Sequence, residues 1–296
     1  MFFTLSDVTL LAKRVKLTPR AISEELRGWH WNEPPLLHSS STYLGVSDLT
    51  NGYCETGRFA YLKHKGVKPE AIKGANDLHY VYAEAVQGVK RLIYEEGDRV
   101  TGGRLQTLMT DEFYRVVRNV VDPERAKVMW DHVVNIYTAE VDKYRSRLFL
   151  TRDSLVSLVV PFHVEYPIDG SLVGLQNNIR ADAFVPMVPL VAEMKTGRPR
   201  RAHELALAGY SLALESQFEV PIDFGYLCYV TVDKGVFTTC RLVQVSDPLR
   251  NEFLETRDRA VEAIDNDLDP GMPKRCDDSC PFLNHCNSPG STGAKG

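Results

Sequence analysis

Near residue 154 this chain changes its hydrophobic period, and that change limits the folds open to it. Before it, Leu78, Tyr82, Val86, Val89 and Ile93 recur at helical spacing and predict an amphipathic helix over 75–95. Asp122-Pro123-Glu124 supplies an N-cap, an N1 proline and a first-turn acid for a second helix reaching about residue 149. Ser6 and Asp7 open a third, Pro19 to Leu26 reads as a short one, and another follows Thr101–Gly103 near 104–120. Beyond the change, Leu155–Tyr166, Leu172–Phe184 and Leu190–Lys195 read as strands, with Asp169-Gly170 as a hairpin signal between the first two. Arg201–Ser216 is helical, Phe224–Val232 and Val236–Val245 form a hairpin, and Asp247-Pro248 opens a last helix to about Ile264. The order predicts an α/β fold with helical additions: a mainly helical region 1–150, a mixed-sheet core 151–245, and a terminal helix with a cysteine-rich tail 246–296.

Composition removes several function classes. A chain of 296 residues that is 44% hydrophobic and 25% charged is neither disordered nor fibrous. A net charge of -4 excludes a histone-like coat, yet leaves room for a local basic channel. The longest apolar runs are too short and too Pro-broken to span a bilayer. The basic residues Lys13, Arg14 and Lys16 follow the apolar start, the wrong polarity for a secretory signal. The expectation is a cytoplasmic protein without a membrane segment.

Three residues carry the sharpest chemistry. Asp182 ends one strand, and Glu193 and Lys195 lie two apart in the next, so they share a face. Two carboxylates converging at adjacent strand ends can hold a hard divalent cation through oxygen. A nearby ammonium can orient the attacking water or neutralise a phosphate oxygen. A buried salt bridge between strands would use the same residues. The acid in the preceding strand and the helix directly after favour the metal site. Arg198, Arg200 and Arg201 follow this strand and suit phosphates of a departing strand, or a solvated loop.

Six cysteines in a cytoplasmic chain are not expected to form disulfides. Cys228 and Cys240, in strand-like runs, read as buried structural thiols. Cys276, Cys280 and Cys286 crowd a polar tail, and Cys54 is the remaining candidate for a fourth ligand. An iron–sulfur cluster is the first reading of this one-plus-three pattern, zinc the second and free thiols the third.

Asp182, the strand Glu193-Met194-Lys195, and a helix carrying His203 and Tyr210 resemble the PD-(D/E)xK nuclease core of RecB-type exonucleases. With Cys54-Glu-Thr-Gly-Arg58, the run from His203 through Tyr210 to Glu215 and the cysteine tail, the chain resembles the RecB-like iron–sulfur exonucleases of CRISPR adaptation (Cas family four, archaeal Csa-type branch). The resemblance covers about residues 44–66 and 160–290 and implies a restriction-endonuclease-like mixed sheet. It implies that Asp182, Glu193, the Met194 carbonyl and His79 bind Mn²⁺ or Mg²⁺, with Lys195 and Tyr210 in the catalytic set. Cys54, Cys276, Cys280 and Cys286 would hold the cluster, 4Fe–4S favoured over 2Fe–2S. Two departures stand out: Ala206 replaces the family's Gln four residues before Tyr210, and Cys276–Cys280 is one residue wider than usual.

The implied activity is metal-dependent cleavage of single-stranded or overhanging DNA, trimming prespacers for the CRISPR integrase. The implied partners are that DNA, the integrase and other adaptation proteins, with a homo-oligomer as a further assembly. Two alternatives stay open: an iron–sulfur structural subunit with a degenerate active site, and a zinc-stabilised nucleic-acid-binding module.

Overall fold

The computed structural model describes residues 2–146 and 150–288. In chain order they form α1 (Leu5–Leu17), α2 (Val46–Leu49), α3 (Arg58–His64), α4 (Asp77–Glu96), α5 (Gly102–Val116), α6 (Pro123–Arg145) and α7 (Arg152–Val159). Then come β1 (His163–Ile168), β2 (Ile179–Val185), β3 (Leu190–Lys195), α8 (Ala202–Phe218), β4 (Phe224–Val232), β5 (Val236–Gln244), α9 (Asp247–Asp265) and α10 (Leu283–Asn287). The sheet has five strands in the order β1-β2-β3-β4-β5, mixed because β3 and β4 run parallel across the α8 connection while the other neighbours are antiparallel.

The expected caps work as their chemistry requires. The Asp122 side chain accepts from Arg125 N with Pro123 in the first turn, and Thr101 caps α5 by accepting from Arg104 N. Val81, Tyr82, Val86, Val89 and Ile93 of α4 pack with Met129, Trp130, Val133 and Tyr137 of α6. That core continues into the sheet through Ala183, Ala192, Met194 and Cys228. A second core lies on the other face, where α8 is covered by the sheet and by α9. Every residue of α8 from Leu205 to Ser216 is buried, which explains its lack of a polar face. Gly209 is required there, since an added Cβ would sit 2.6 Å from the Phe253 ring.

Several sequence expectations need correction. The run Leu155–Tyr166 is not one strand: Thr151 accepts from Ser154 N and starts α7, which buries Leu155 and Val159 four residues apart. A local cap outweighs the β-branched composition. Leu172–Phe184 becomes a strand only at Ile179. Asp169-Gly170 makes no tight hairpin, because Gly170 N donates to Gln176 O and Leu175 N donates to Gly170 O, closing a wider loop. Between Pro19 and Leu26 only a single 3₁₀ turn, Glu24–Leu26, forms. The second helix ends at Arg145, and its expected continuation to residue 149 lies outside the described residues beyond 146, as do residues 289–296 of the tail.

The expectation of no disulfide is also overturned. Cys228 and Cys240 are register partners on β4 and β5, their Cα atoms 4.1 Å apart, and they are bonded to each other. Compartment chemistry argued against the bond, but the antiparallel register sets the two cysteines directly opposite each other.

Candidate active site and cysteine cluster

The β2–β3 register pairs Ala183 with Ala192 and Phe184 with Val191, and one step further it places Asp182 opposite Glu193. β3 is buried along almost its whole length, as a central strand with layers on both faces must be. Glu193 is therefore only 2% exposed. Its Oε1 accepts from Asp182 N at 3.4 Å, and its Oε2 accepts from Lys195 Nζ at 2.7 Å. Asp182 Oδ2 accepts from Met194 N at 2.7 Å. From α4, His79 brings Nδ1 to 3.6 Å from Asp182 Oδ1. Four residues named from sequence, from three separate elements, thus converge.

The electrostatics of the group follow from burial and crowding. Burial, with Asp182 beside it, pushes the Glu193 carboxyl up to about 7, against the pull of Lys195. Burial would raise Asp182 too, but the His79 hydrogen bond and the charges of His79 and Lys195 hold it below its ordinary value. Burial would lower His79 and Lys195, yet the adjacent carboxylates outweigh it and raise both. Tyr210 on α8 is buried in the field of Glu193, Asp182 and Glu165, with its phenol held well above the ordinary range.

Two residues missed in the sequence belong to this group. Glu165 of β1 carries a positive φ of 49°, and the register of Val164 with Ala183 and Tyr166 with Ala181 places it across from Asp182. Burial and the Asp182 charge raise its pKa. No tight turn fixes the β1–β2 register, so period alone could not bring these acids together. Tyr229 is the register partner of Lys195, and its hydroxyl shares a 3.1 Å hydrogen bond with His203 Nδ1. Burial, with the charges of Lys195 and Arg200, pushes His203 down to about 4, so it is neutral.

Asp182, Glu193, His79 and the Met194 carbonyl are hard oxygen and nitrogen donors of the kind Mn²⁺ and Mg²⁺ take. Among the described residues, no three His, Cys, Asp or Glu side chains form a ready ligand sphere. The fit therefore rests on donor chemistry. A buried carboxyl raised to about 7 beside a second carboxylate is what an added divalent cation would reverse.

The arginines expected to meet DNA separate. Arg201 pairs with Glu252 and Glu204. Arg200 donates to Gly52 O at 2.6 Å and pairs with Asp277 at 2.7 Å, so its guanidinium is engaged within the molecule. Arg198 is exposed.

The tail that carries three of the cysteines packs onto the segment that follows Cys54. Phe282 and Cys286 of the tail pack with Leu62 of α3, and the Phe59 and Phe282 rings meet edge-on at 5.0 Å. Glu70 N donates to Pro281 O, fastening the tail. Burial pushes the Cys280 and Cys286 thiols up, and Cys54 and Cys276 add their fields at both. The four cysteines expected from the sequence are thus near enough to influence one another, although no three of them form a ready ligand sphere among the described residues. The buried Arg58 donates to Cys286 Sγ at 3.6 Å, a cationic donor that favours sulfur as thiolate. Four thiols with such a donor suit a cysteine-held cluster or zinc.

No helix among the described residues is long and apolar enough to cross a membrane. A family model described as CRISPR-associated exonuclease Csa1 matches residues 1–290. A protein of that name from Saccharolobus solfataricus is 51% identical over 294 residues, covering 97% of this chain and 100% of the relative. Its namesake from Thermoproteus tenax is 30% identical, covering 96% and 99%. A crystal structure from Eubacterium rectale aligns over 90% of this chain and 94% of its own at 12% identity and a TM-score of 0.40, a distant likeness that carries no argument here. With nearly its whole length matched, the chain belongs to the CRISPR-associated exonuclease Csa1 family.

Proposed function

We propose that this protein is a metal-dependent DNA exonuclease of the PD-(D/E)xK type, acting on single strands or overhangs and trimming prespacers for CRISPR adaptation. The observation that supports this reading best is the convergence of Asp182, Glu193, Lys195 and His79 at the interior strand pair β2–β3, with Asp182 in the middle of β2 and not at the strand end expected from the sequence. His79, Asp182, Glu193 and the Met194 carbonyl hold Mn²⁺ or Mg²⁺, which when bound polarises the scissile phosphate and acidifies water. Lys195, kept protonated by Glu193 and Asp182, places a positive charge where the phosphate gains negative charge in the transition state. Glu193 must lose its proton for the site to load, so loading is favoured as pH rises through about 7. Tyr210, buried on α8 in the field of Glu193 and Asp182, completes the catalytic set.

Cys54, Cys276, Cys280 and Cys286 hold an iron–sulfur cluster, 4Fe–4S in preference to 2Fe–2S, that fastens the tail to the Cys54 segment. The role of exposed Arg198 is to meet phosphates of the departing strand. The CRISPR integrase is the proposed recipient of the product.

The test is cleavage of 5′-labelled and 3′-labelled single strands with Mn²⁺ and with chelator, alongside the visible absorbance of anaerobically purified protein. Mn²⁺-dependent shortening from an end by a brown protein is expected. A brown protein without cleavage would favour the structural-subunit alternative, and a colourless zinc protein that only binds DNA would favour the binding module.

A further inference from the structure

Arg200 lies five residues beyond Lys195, in the loop from β3 to α8, and its contacts lead away from the acidic group. Its Nη1 donates to the carbonyl of Gly52 at 2.6 Å, two residues before Cys54. Its Nη2 pairs with Asp277 at 2.7 Å, directly after Cys276. Its guanidinium carbon lies 5.5 Å from the centre of the Tyr53 ring, next to Cys54. Gly52 has a φ of +72°, and an added Cβ there would sit 2.9 Å from Arg200 Cδ, so the close approach depends on glycine. One side chain thus touches both cysteine-bearing segments from the exit of the strand carrying Glu193 and Lys195. Its charge also reaches back to the site, where it acts with Lys195 on His203.

We propose that Arg200 is a positioning residue that couples the cysteine cluster to the nuclease strand, so that the geometry at Lys195 depends on the two cysteine segments being assembled. A charge-assisted, forked guanidinium contact suits this role, because one rigid plane fixes two separate chain segments at once. Arg200 acts through the loop and touches no reacting atom. The effect on cleavage rests on the nuclease reading above; the effect on the cysteines does not.

The test is a double-mutant cycle in the full-length protein with Arg200→Ala, Asp277→Ala and the double variant, plus Arg200→Lys as the conservative change. The first readout is the rate of maleimide labelling at Cys54, Cys276, Cys280 and Cys286 in the protein as purified, resolved by mass spectrometry. The second is kcat and KM on a single-stranded DNA with Mn²⁺. Each single Ala variant is expected to speed labelling by about tenfold, the scale of a lost hydrogen bond to a charged group. The double variant should be no faster than Arg200→Ala, because both remove one contact. The expected split is a fall of about tenfold in kcat with KM near wild type, and partial recovery in Arg200→Lys.

Additive labelling effects in the double variant would overturn the proposal. So would unchanged labelling with a raised KM, which would make Arg200 a phosphate contact. Should Arg200→Ala not fold by circular dichroism, Arg200→Lys and Asp277→Asn decide, and wild-type labelling rates in both overturn it. A wild-type protein that cleaves no DNA would sink the nuclease reading while the labelling cycle still judges the strut.

Discussion

Lys195 Nζ lies 2.7 Å from Glu193 Oε2, on the same face of β3, and Glu193 is buried while Lys195 keeps partial contact with solvent. Glu193 has a folded-state pKa of about 7, above its ordinary 4.5. Between those values the native state holds the extra proton, so the contribution of Glu193 to stability is fully present below about 4.5 and is lost as pH rises to about 7. Lys195→Ala removes the charge that restrains this shift. Its loss of stability relative to wild type is therefore expected to be small at pH 6 and to grow by up to about 1.4 kcal/mol by pH 8, because the wild-type carboxyl then ionises beside Lys195 while the variant's buried carboxyl keeps its proton. Thermal melts at both pH values check this; an equal deficit at both would contradict the assignment of the proton to Glu193.

Glu165 shares the field of Asp182 and His79 from β1. Replacing it with Gln removes a charge from a crowded acidic group. The variant should melt higher than wild type at pH 8 without metal, yet need several-fold more Mn²⁺ for half-maximal stabilisation. An unchanged Mn²⁺ requirement would place Glu165 outside the metal group.

The cysteine assignments predict a separation by colour. Cys54→Ala should lose visible absorbance and iron and melt lower, because cluster binding and folding are coupled. Cys228→Ser breaks only the β4–β5 bond and should keep both signals. Full iron in Cys54→Ala would remove that residue from the cluster.

The strongest stability effect is expected far from the site. Glu215 and Arg250 are fully buried on α8 and α9, and Glu215 accepts from Arg250 at 2.6 and 2.9 Å, from Arg27 at 3.0 Å, and from Gly28 N and Ile222 N at 2.9 Å. Glu215→Ala leaves those donors buried with fewer partners and should cost about 3–5 kcal/mol. Chemical denaturation measures it; a loss under 1 kcal/mol would mean that water enters the gap.

How much of this was legible in the sequence depends on whether a feature is local. Asp122-Pro123-Glu124 and the α4 stripe carry their own signals, and the helices formed where those signals placed them. The Glu193-x-Lys195 pair follows from strand alternation alone. Features set by register or by distant chain contacts were not legible. Glu165 meets Asp182, and Cys228 meets Cys240, only because particular strands align. Arg200 looks like a free basic residue until the two cysteine segments close on it. Leu155–Tyr166 misled because a threonine cap turned an apolar, β-branched run into a helix.

The central claim is that one acidic group on β2 and β3 binds the metal through Asp182 and Glu193 while Lys195 acts on the transition state. The most direct measurement is the Mn²⁺ dependence of single-strand cleavage by wild type, Asp182→Ala and Lys195→Ala, each checked for folding at pH 7. The account predicts that Asp182→Ala shifts the curve to higher Mn²⁺, whereas Lys195→Ala keeps the wild-type midpoint but lowers the plateau by about a hundredfold or more. A Lys195→Ala protein that is folded and reaches the wild-type plateau would contradict it.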